Sequence, residues 1–214
     1  MLKIWGRRNA FNVQKVMWLI GELGLDHERV DAGGSFGGLD APEFLRINPH
    51  GRIPVIEDNG TIIWESHAII RYLCATRAEG TLWPKDADER SFADRWMDWS
   101  LATLQPSFLD LFWGYYRTPT AQRDRAFIDK AIERCDRCYR LLDRALTDQP
   151  YLAGERFTMG DIPAGTTLFR YRSLNVRRPL LRNVEAWYRR LCERQAYRDH
   201  VMIPFDDLFG RLEY

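Results

Sequence analysis

The 214-residue chain lacks an excess of either charge: 31 Lys and Arg stand against 30 Asp and Glu, for a formal net charge of +1. A nucleic-acid or anionic-membrane binder needs a clustered basic surplus, so the balance excludes both as leading readings. Long apolar runs are also missing. No stretch approaches the ~20 residues needed to span a bilayer, and the first residues, MLKIWGRRNAFN, show no apolar signal core or cleavage site. The expectation is a cytoplasmic protein. Cysteine is scarce: Cys74, Cys135, Cys138 and Cys192 are too scattered for a disulfide framework. Cys135 and Cys138 form a C-x-x-C pair, but they sit in a window where Ile128, Ala131, Ile132, Cys135, Tyr139 and Leu142 keep helical period. Four dispersed histidines complete no zinc set, so no metal is expected.

Apolar residues are plentiful. They make up 45% of the chain, aromatics 13%, and eight residues are tryptophan, which excludes a disordered chain. The first eighty residues alternate strand and helix signals. Met1 to Ile4 reads as a strand, and Val13, Val16, Met17, Ile20 and Leu23 mark one face of a helix that Gly24 closes. A strand follows near His27 to Asp31, then a loop with GGSFGG, which fits neither dinucleotide nor phosphate-loop spacing. Pro42 to Ile47 reads as a short helix. Asp58-Asn59-Gly60 between Pro54–Glu57 and Thr61–Trp64 predicts a hairpin. Ser66 is expected to cap a helix carrying Ile69, Tyr72 and Leu73.

Beyond residue 80 the pattern is helical. Phe92, Trp96, Trp99 or Ser100, and Thr103 or Leu104 repeat at helical spacing, with an expected kink at Pro106. Thr118-Pro119 reads as the start of the next helix, which runs to about Leu146. Another opens near Met159, and one more carries Val184, Trp187, Tyr188 and Leu191. The expected organisation is an α/β domain over 1–80 and an all-α domain over 88–214.

Three segments of the first domain converge chemically. In Arg52-Ile53-Pro54 the proline opens a strand; a cis bond before it would expose the Ile53 main chain for pairing with an extended peptide, though trans is the default. In Trp64-Glu65-Ser66-His67-Ala68 a strand runs into a helix, whose free N–H groups and Ser66 hydroxyl suit a carboxylate; Ser66 as a plain cap explains the same residue. Ser66 and His67 are no hydrolase pair, because neighbours at a helix start point apart and no nucleophile elbow surrounds them. In Asn9-Ala10-Phe11-Asn12, donors at a helix start suit a thiolate or another anion; Asn12 as a mere cap is the alternative. Asp161 completes Thr158-x-x-Asp161, a capping box flanked by Phe157 and Ile162, and is read as structural.

These segments, with Leu2-Lys3-Ile4-Trp5-Gly6, Asn12…Lys15-Val16, Asn48-Pro49-His50-Gly51-Arg52-Ile53-Pro54, Glu65-Ser66-His67-Ala68-Ile69-Ile70 and Tyr151–Ile162, resemble the cytosolic glutathione transferases over nearly the whole chain. The similarity is to bacterial theta- or nu-like members with Asn in the first helix turn. The resemblance implies a thioredoxin-like N-terminal domain, an all-helical C-terminal domain, a homodimer, and glutathione as co-substrate. It also implies that Ile53 pairs with the cysteinyl unit, that Glu65 and Ser66 hold the γ-glutamyl end, and that Arg52, with His50 nearby, faces the glycyl carboxylate.

One departure stands out. Many relatives place Ser, Thr or Cys two residues before this Asn, and here the residue is Ala10. No tyrosine or cysteine replaces it in the turn. Thiol activation therefore falls to Asn12 first and Asn9 second, with Arg7 an electrostatic helper; a hydrogen bond to the charged form lowers a thiol pKa. In the aromatic stretch Trp96 to Tyr116 most rings are expected in the core. Trp113 and Tyr116, with Phe11, are the expected apolar acceptor pocket, closed by the tail Phe205 to Tyr214. The expected reaction is conjugation of glutathione to a small electrophile. Glutathione-dependent disulfide reduction on the same fold, and a non-catalytic binding protein, are the alternatives.

Overall fold

The computed structural model describes residues 1–213; Tyr214, the last residue of the expected tail, lies outside the described residues. Strand β1 (Leu2–Trp5) leads to helix α1 (Phe11–Glu22) and strand β2 (His27–Val30). Helix α2 (Pro42–Ile47), strands β3 (Val55–Asp58) and β4 (Thr61–Trp64) and helix α3 (Ser66–Arg77) complete the α/β part. The sheet order is β2-β1-β3-β4. β1 and β2 are parallel, joined through α1, and the other pairs are antiparallel. The hairpin forms as the sequence predicts: Asn59 (φ 50°) and Gly60 (φ 88°) take the two left-handed positions of a tight two-residue turn.

Helix α1 is buried almost all round, from Val13 to Ile20, where the sequence pattern predicts one apolar face. The reason is its place at the joint: one side meets the sheet and α3, the other meets helices α7 (Asp161–Ser173) and α9 (Gln195–His200). Trp18 packs on Tyr197 and Phe157 at centroid distances of 4.6 and 5.4 Å. Gly165 of α7 admits the Trp18 ring, which would lie 2.9 Å from a Cβ at that position. Arg194 clasps Glu22 with two hydrogen bonds across the same joint.

The helical part begins with α4 (Ala87–Trp99), capped by Asp86 at Asp88 N and Glu89 N. Its buried stripe runs through Ala93, Trp96 and Met97 to Ser100 and Leu104. Phe92 stays 44% exposed, with the Arg95 guanidinium over its ring. Pro106 does not break the helix. A π-type turn, Ser100–Leu104, leads into α5 (Gln105–Leu111), and a second, Phe112–Arg117, follows it. The widened turn accommodates a ring and a missing donor that a regular α-turn would not. Helix α6 (Arg125–Ala145) starts six residues beyond the expected Pro119, with Asp124 accepting from Phe127 N. The Thr118 hydroxyl instead donates to Trp113 O and closes the preceding helix. Cys135 and Cys138 are buried on α6, and burial pushes both thiols up, as suits core residues. Helix α8 (Arg182–Glu193) buries Val184, Trp187 and Leu191. Among the described residues no helix is long and apolar enough to cross a membrane.

Candidate functional site

The turn before β3 is built from a buried asparagine. Asn48 Nδ2 donates to Arg52 O at 2.7 Å, while its Oδ1 accepts from His50 N at 3.1 Å. This pins residues 48–52 and sets up the Ile53–Pro54 bond, which is cis, against the default expectation. Asn48 did not stand out in the sequence as a positioning residue; its place just ahead of Pro49 was the only signal.

At the other edge β4 turns sharply into α3. Glu65 sits at φ 70°, a left-handed conformation that costs a non-glycine residue of order 1 kcal/mol and clusters at functional sites. The turn moves the helix start by one position. Glu65, not Ser66, is the capping residue; Ser66 is the first helical residue, and no side-chain cap bond forms. The expectation of Ser66 as a cap is thereby corrected. The alternative reading of Asn12 as a mere cap falls in the same way: Ala10 occupies the capping position of α1, again with no side-chain bond, and Asn12 is the second helical residue. Its Oδ1 is buried without a hydrogen-bond partner.

These edges enclose a narrow cleft of about 60 Å³ lined by Asn12, Asn48, Arg52, the Ile53–Pro54 turn, Glu65 and Ser66. Five sequence candidates from three separate segments thus meet in one place. Two helix starts, a strand opening and a guanidinium surround it, an arrangement suited to an extended anionic ligand.

Other candidates lie elsewhere. His50 is exposed and rests edge-on against Trp64, 5.1 Å between centroids. Asn9 donates to Asp207 Oδ2 at 2.9 Å, and its carbonyl accepts from Arg170. Asn9 and Arg7 line a second, larger cleft of about 410 Å³ between the β1–α1 turn and the C-terminal tail. Arg7 packs beneath Gly34 there.

Of the expected acceptor pocket, Phe11, Trp113 and Tyr116 are each half-buried, and none of the three lines either cleft. Tyr116 stacks on Phe112 at 5.2 Å and meets Phe205 and Phe209 at 5.0 and 5.2 Å. Trp113 is covered by the Arg117 guanidinium, and Phe11 lies against Phe108 and Arg170. The tail is tied down through Gly210 N to Tyr116 O and through Arg117 to the carbonyls of Arg211 and Glu213. Aromatic faces attractive to an apolar acceptor attract the chain's own tail equally well.

Asp161, read as structural, is buried in α7. It accepts from Thr158 N, Leu152 N and Trp187 Nε1 at 3.0, 2.9 and 3.0 Å. The Thr158 hydroxyl accepts from Gly160 N, completing a box wider than the sequence suggests.

Known proteins share both halves of this arrangement. Residues 1–75 match the model of the glutathione S-transferase N-terminal domain, and residues 122–190 that of the C-terminal domain. Glutathione S-transferase GstB of Escherichia coli is 37% identical over 206 residues, covering 95% of this chain and 99% of that protein. A theta class glutathione S-transferase from Xanthomonas axonopodis pv. citri, crystallised with glutathione bound, is 44% identical with a TM-score of 0.91, covering 95% and 98% of the two chains. Bombyx mori BmGSTD1 superposes with a TM-score of 0.85 at 25% identity, over 97% and 95% of the chains. Similarity of sequence and fold over nearly the full length, with the cleft in the matched N-terminal region, places the chain in the glutathione S-transferase family.

Proposed function

We propose that the protein binds glutathione in the cleft of Asn12, Arg52, Ile53, Glu65 and Ser66, stabilises its thiolate, and directs it onto a small electrophile. The convergence of two uncapped helix starts on one cleft is the observation that carries this reading. Glutathione is an extended peptide with an ammonium group, two carboxylates and a thiol. Glu65 matches the ammonium, and Ser66 with the α3 N–H groups matches the γ-glutamyl carboxylate. The Ile53 main chain pairs with the cysteinyl unit, and Arg52 faces the glycyl carboxylate. Asn12, in the first turn of α1, is the side chain this reading assigns to the sulfur. With Ala10 bearing no hydroxyl, its side-chain N–H and the first-turn backbone donors supply the stabilisation.

The acceptor is assigned to the cleft of about 410 Å³ beside Asn9 and Arg7, since Phe11, Trp113 and Tyr116 line neither cleft and Tyr116 packs against Phe205 of the tail. On the family likeness we further propose domains of about residues 1–80 and 88–214, a homodimer and cytoplasmic residence. Calorimetric titration with glutathione, followed by turnover with a haloarene and with hydroxyethyl disulfide, tests the reading. Saturable binding and faster haloarene conjugation are expected. Faster disulfide reduction replaces conjugation with the reductase reading, and no binding at millimolar glutathione overturns both.

A further inference from the structure

Directly behind the first turn of α1 lies Lys15, only 1% exposed. Lysines are rarely buried to this degree unless paired, yet no ion pair joins Lys15 to a carboxylate among the described residues. Its close partners carry no negative charge. Nζ lies 3.3 Å from His67 Nε2, donates to the Gln105 side-chain oxygen, and sits 4.7 Å from the centroid of the Phe11 ring. These partners come from α3, α5 and α1 itself. Lys15 stands one turn after Asn12, and His67 immediately follows Ser66, so the amine is sealed between the two helix starts that border the cleft. Burial of a charge without a counter-charge is costly.

We propose that Lys15 is the resident counter-charge of the glutathione site, a positioning residue whose amine takes up a proton from solvent as the anionic tripeptide binds. The proposal rests on the reading of the cleft as that site. Lys15 touches no ligand; it acts through the positive potential at Asn12 and Ser66. The ligand supplies what the apo site lacks, because two carboxylates outweigh its single ammonium, and thiol ionisation adds further negative charge.

The surrounding groups leave Lys15 as the group that changes state. Burial lowers its amine to about 7, with Glu65 opposing the shift, so the empty site is partly neutral near physiological pH. His67 is pulled down to about 2 by burial, then by Lys15 and Arg71, and stays neutral throughout. Its Nδ1 faces the Met97 main chain in a contact that falls short of a regular hydrogen bond. Arg71 is held by Asp94 and Asp98, and Gln105 does not titrate. The proton goes from solvent to Lys15 Nζ; a thiol proton, when released, goes to solvent.

S-methylglutathione isolates the effect, because it has no thiol to ionise. Calorimetric titration at pH 7 in phosphate and in Tris reads proton uptake from the buffer dependence of the heat. The wild type is expected to take up about half a proton per site, as a group titrating near the working pH must when its charged form becomes favoured. Lys15→Met should bind roughly ten-fold more weakly, from loss of one nearby charge, and take up none. Met is close to Lys in volume, and replacing a buried charge with an apolar group is often neutral for stability. Lys15→Arg, which holds its charge permanently, should bind without uptake and provides the same contrast should the Met variant not fold. Binding without uptake in the wild type, or equal uptake in Lys15→Met, overturns the proposal alone. No saturable heat in either buffer overturns the site reading and the proposal together.

Discussion

The first turns of α1 and α7 face opposite demands. The turn leading into α7 is tied by its own side chains: Asp161, the first helical residue, accepts from Thr158 N, Leu152 N and Trp187 Nε1, and Thr158 satisfies Gly160 N. A carboxylate in this first turn also complements the positive end of the helix dipole. At α1 none of this is present. Ala10 offers no capping oxygen, the first turn carries no acid, and Asn12 Oδ1 is buried without a partner. A helix start completed from within contributes stability, whereas one left unfilled at a cleft is available to an anion from outside. On this contrast, damage at α7 should appear in folding and damage at α1 in chemistry.

The largest effect is expected from Asp161→Ala. Four donors, Leu152 N, Thr158 N, the Thr158 hydroxyl and Trp187 Nε1, lose their acceptor at once, which should cost about 3–5 kcal/mol, read by urea unfolding at neutral pH. The folded fraction should retain its affinity for glutathione. A loss below about 1 kcal/mol would place the stability of this turn outside the box. The same carboxyl carries a pH signature. Burial raises Asp161 to about 6, against the opposing pull of its hydrogen bonds, from an ordinary 3.8. The folded state therefore holds the proton more tightly than the unfolded chain. This contribution to stability is fully present below 3.8 and is lost as the pH rises through 6. Relative to Asp161→Asn, the wild type should gain up to ~3 kcal/mol between neutral pH and about pH 4. A constant difference between the two unfolding curves would refute the assignment.

The α7 box was legible because its signal is local: Thr158-x-x-Asp161 lies within one turn. The hairpin at Asn59-Gly60, the Pro42–Ile47 helix and the cleft residues Arg52, Ile53, Glu65 and Ser66 were legible on similar grounds. Long-range contacts were not. The Trp187 and Leu152 bonds to Asp161 join residues 26 and nine positions away. The seating of Phe205 and Phe209 on Tyr116 joins segments about ninety residues apart, so a reading of Phe11, Trp113 and Tyr116 from local sequence could not account for the tail that packs on Tyr116. Helix starts slipped by one or a few residues where tertiary contacts set them, at Ser66 and Asp124. Lys15 is the clearest case. Nothing in its place between Gln14 and Val16 marks it as buried; it is enclosed through His67 of α3 and Gln105 of α5, 52 and 90 positions away.

At α1 the expected effect is chemical. Asn12→Ala should raise the pKa of bound glutathione by about one to two units, the value of one hydrogen bond to a charged acceptor. Ultraviolet absorbance of the thiolate against pH reads this directly. Turnover at neutral pH should fall by roughly ten- to a hundred-fold, with recovery at alkaline pH. Stability should change by less than about 1 kcal/mol, because Asn12 caps nothing. An unchanged pH profile would move thiol activation to the backbone donors alone.

The smallest effect belongs to Ser66→Ala. Its hydroxyl forms no cap bond in α3, so removal leaves the helix intact. The γ-glutamyl carboxylate keeps the backbone donors and Glu65 keeps the ammonium, so one hydrogen bond among several is lost. Affinity for glutathione should fall about five-fold, near 1 kcal/mol, with kcat and the thiol pKa unchanged because the carboxylate lies away from the sulfur. A changed thiol pKa would instead mean that the α1 and α3 starts act as one electrostatic unit through Lys15, and the two ends of the ligand could not be treated separately.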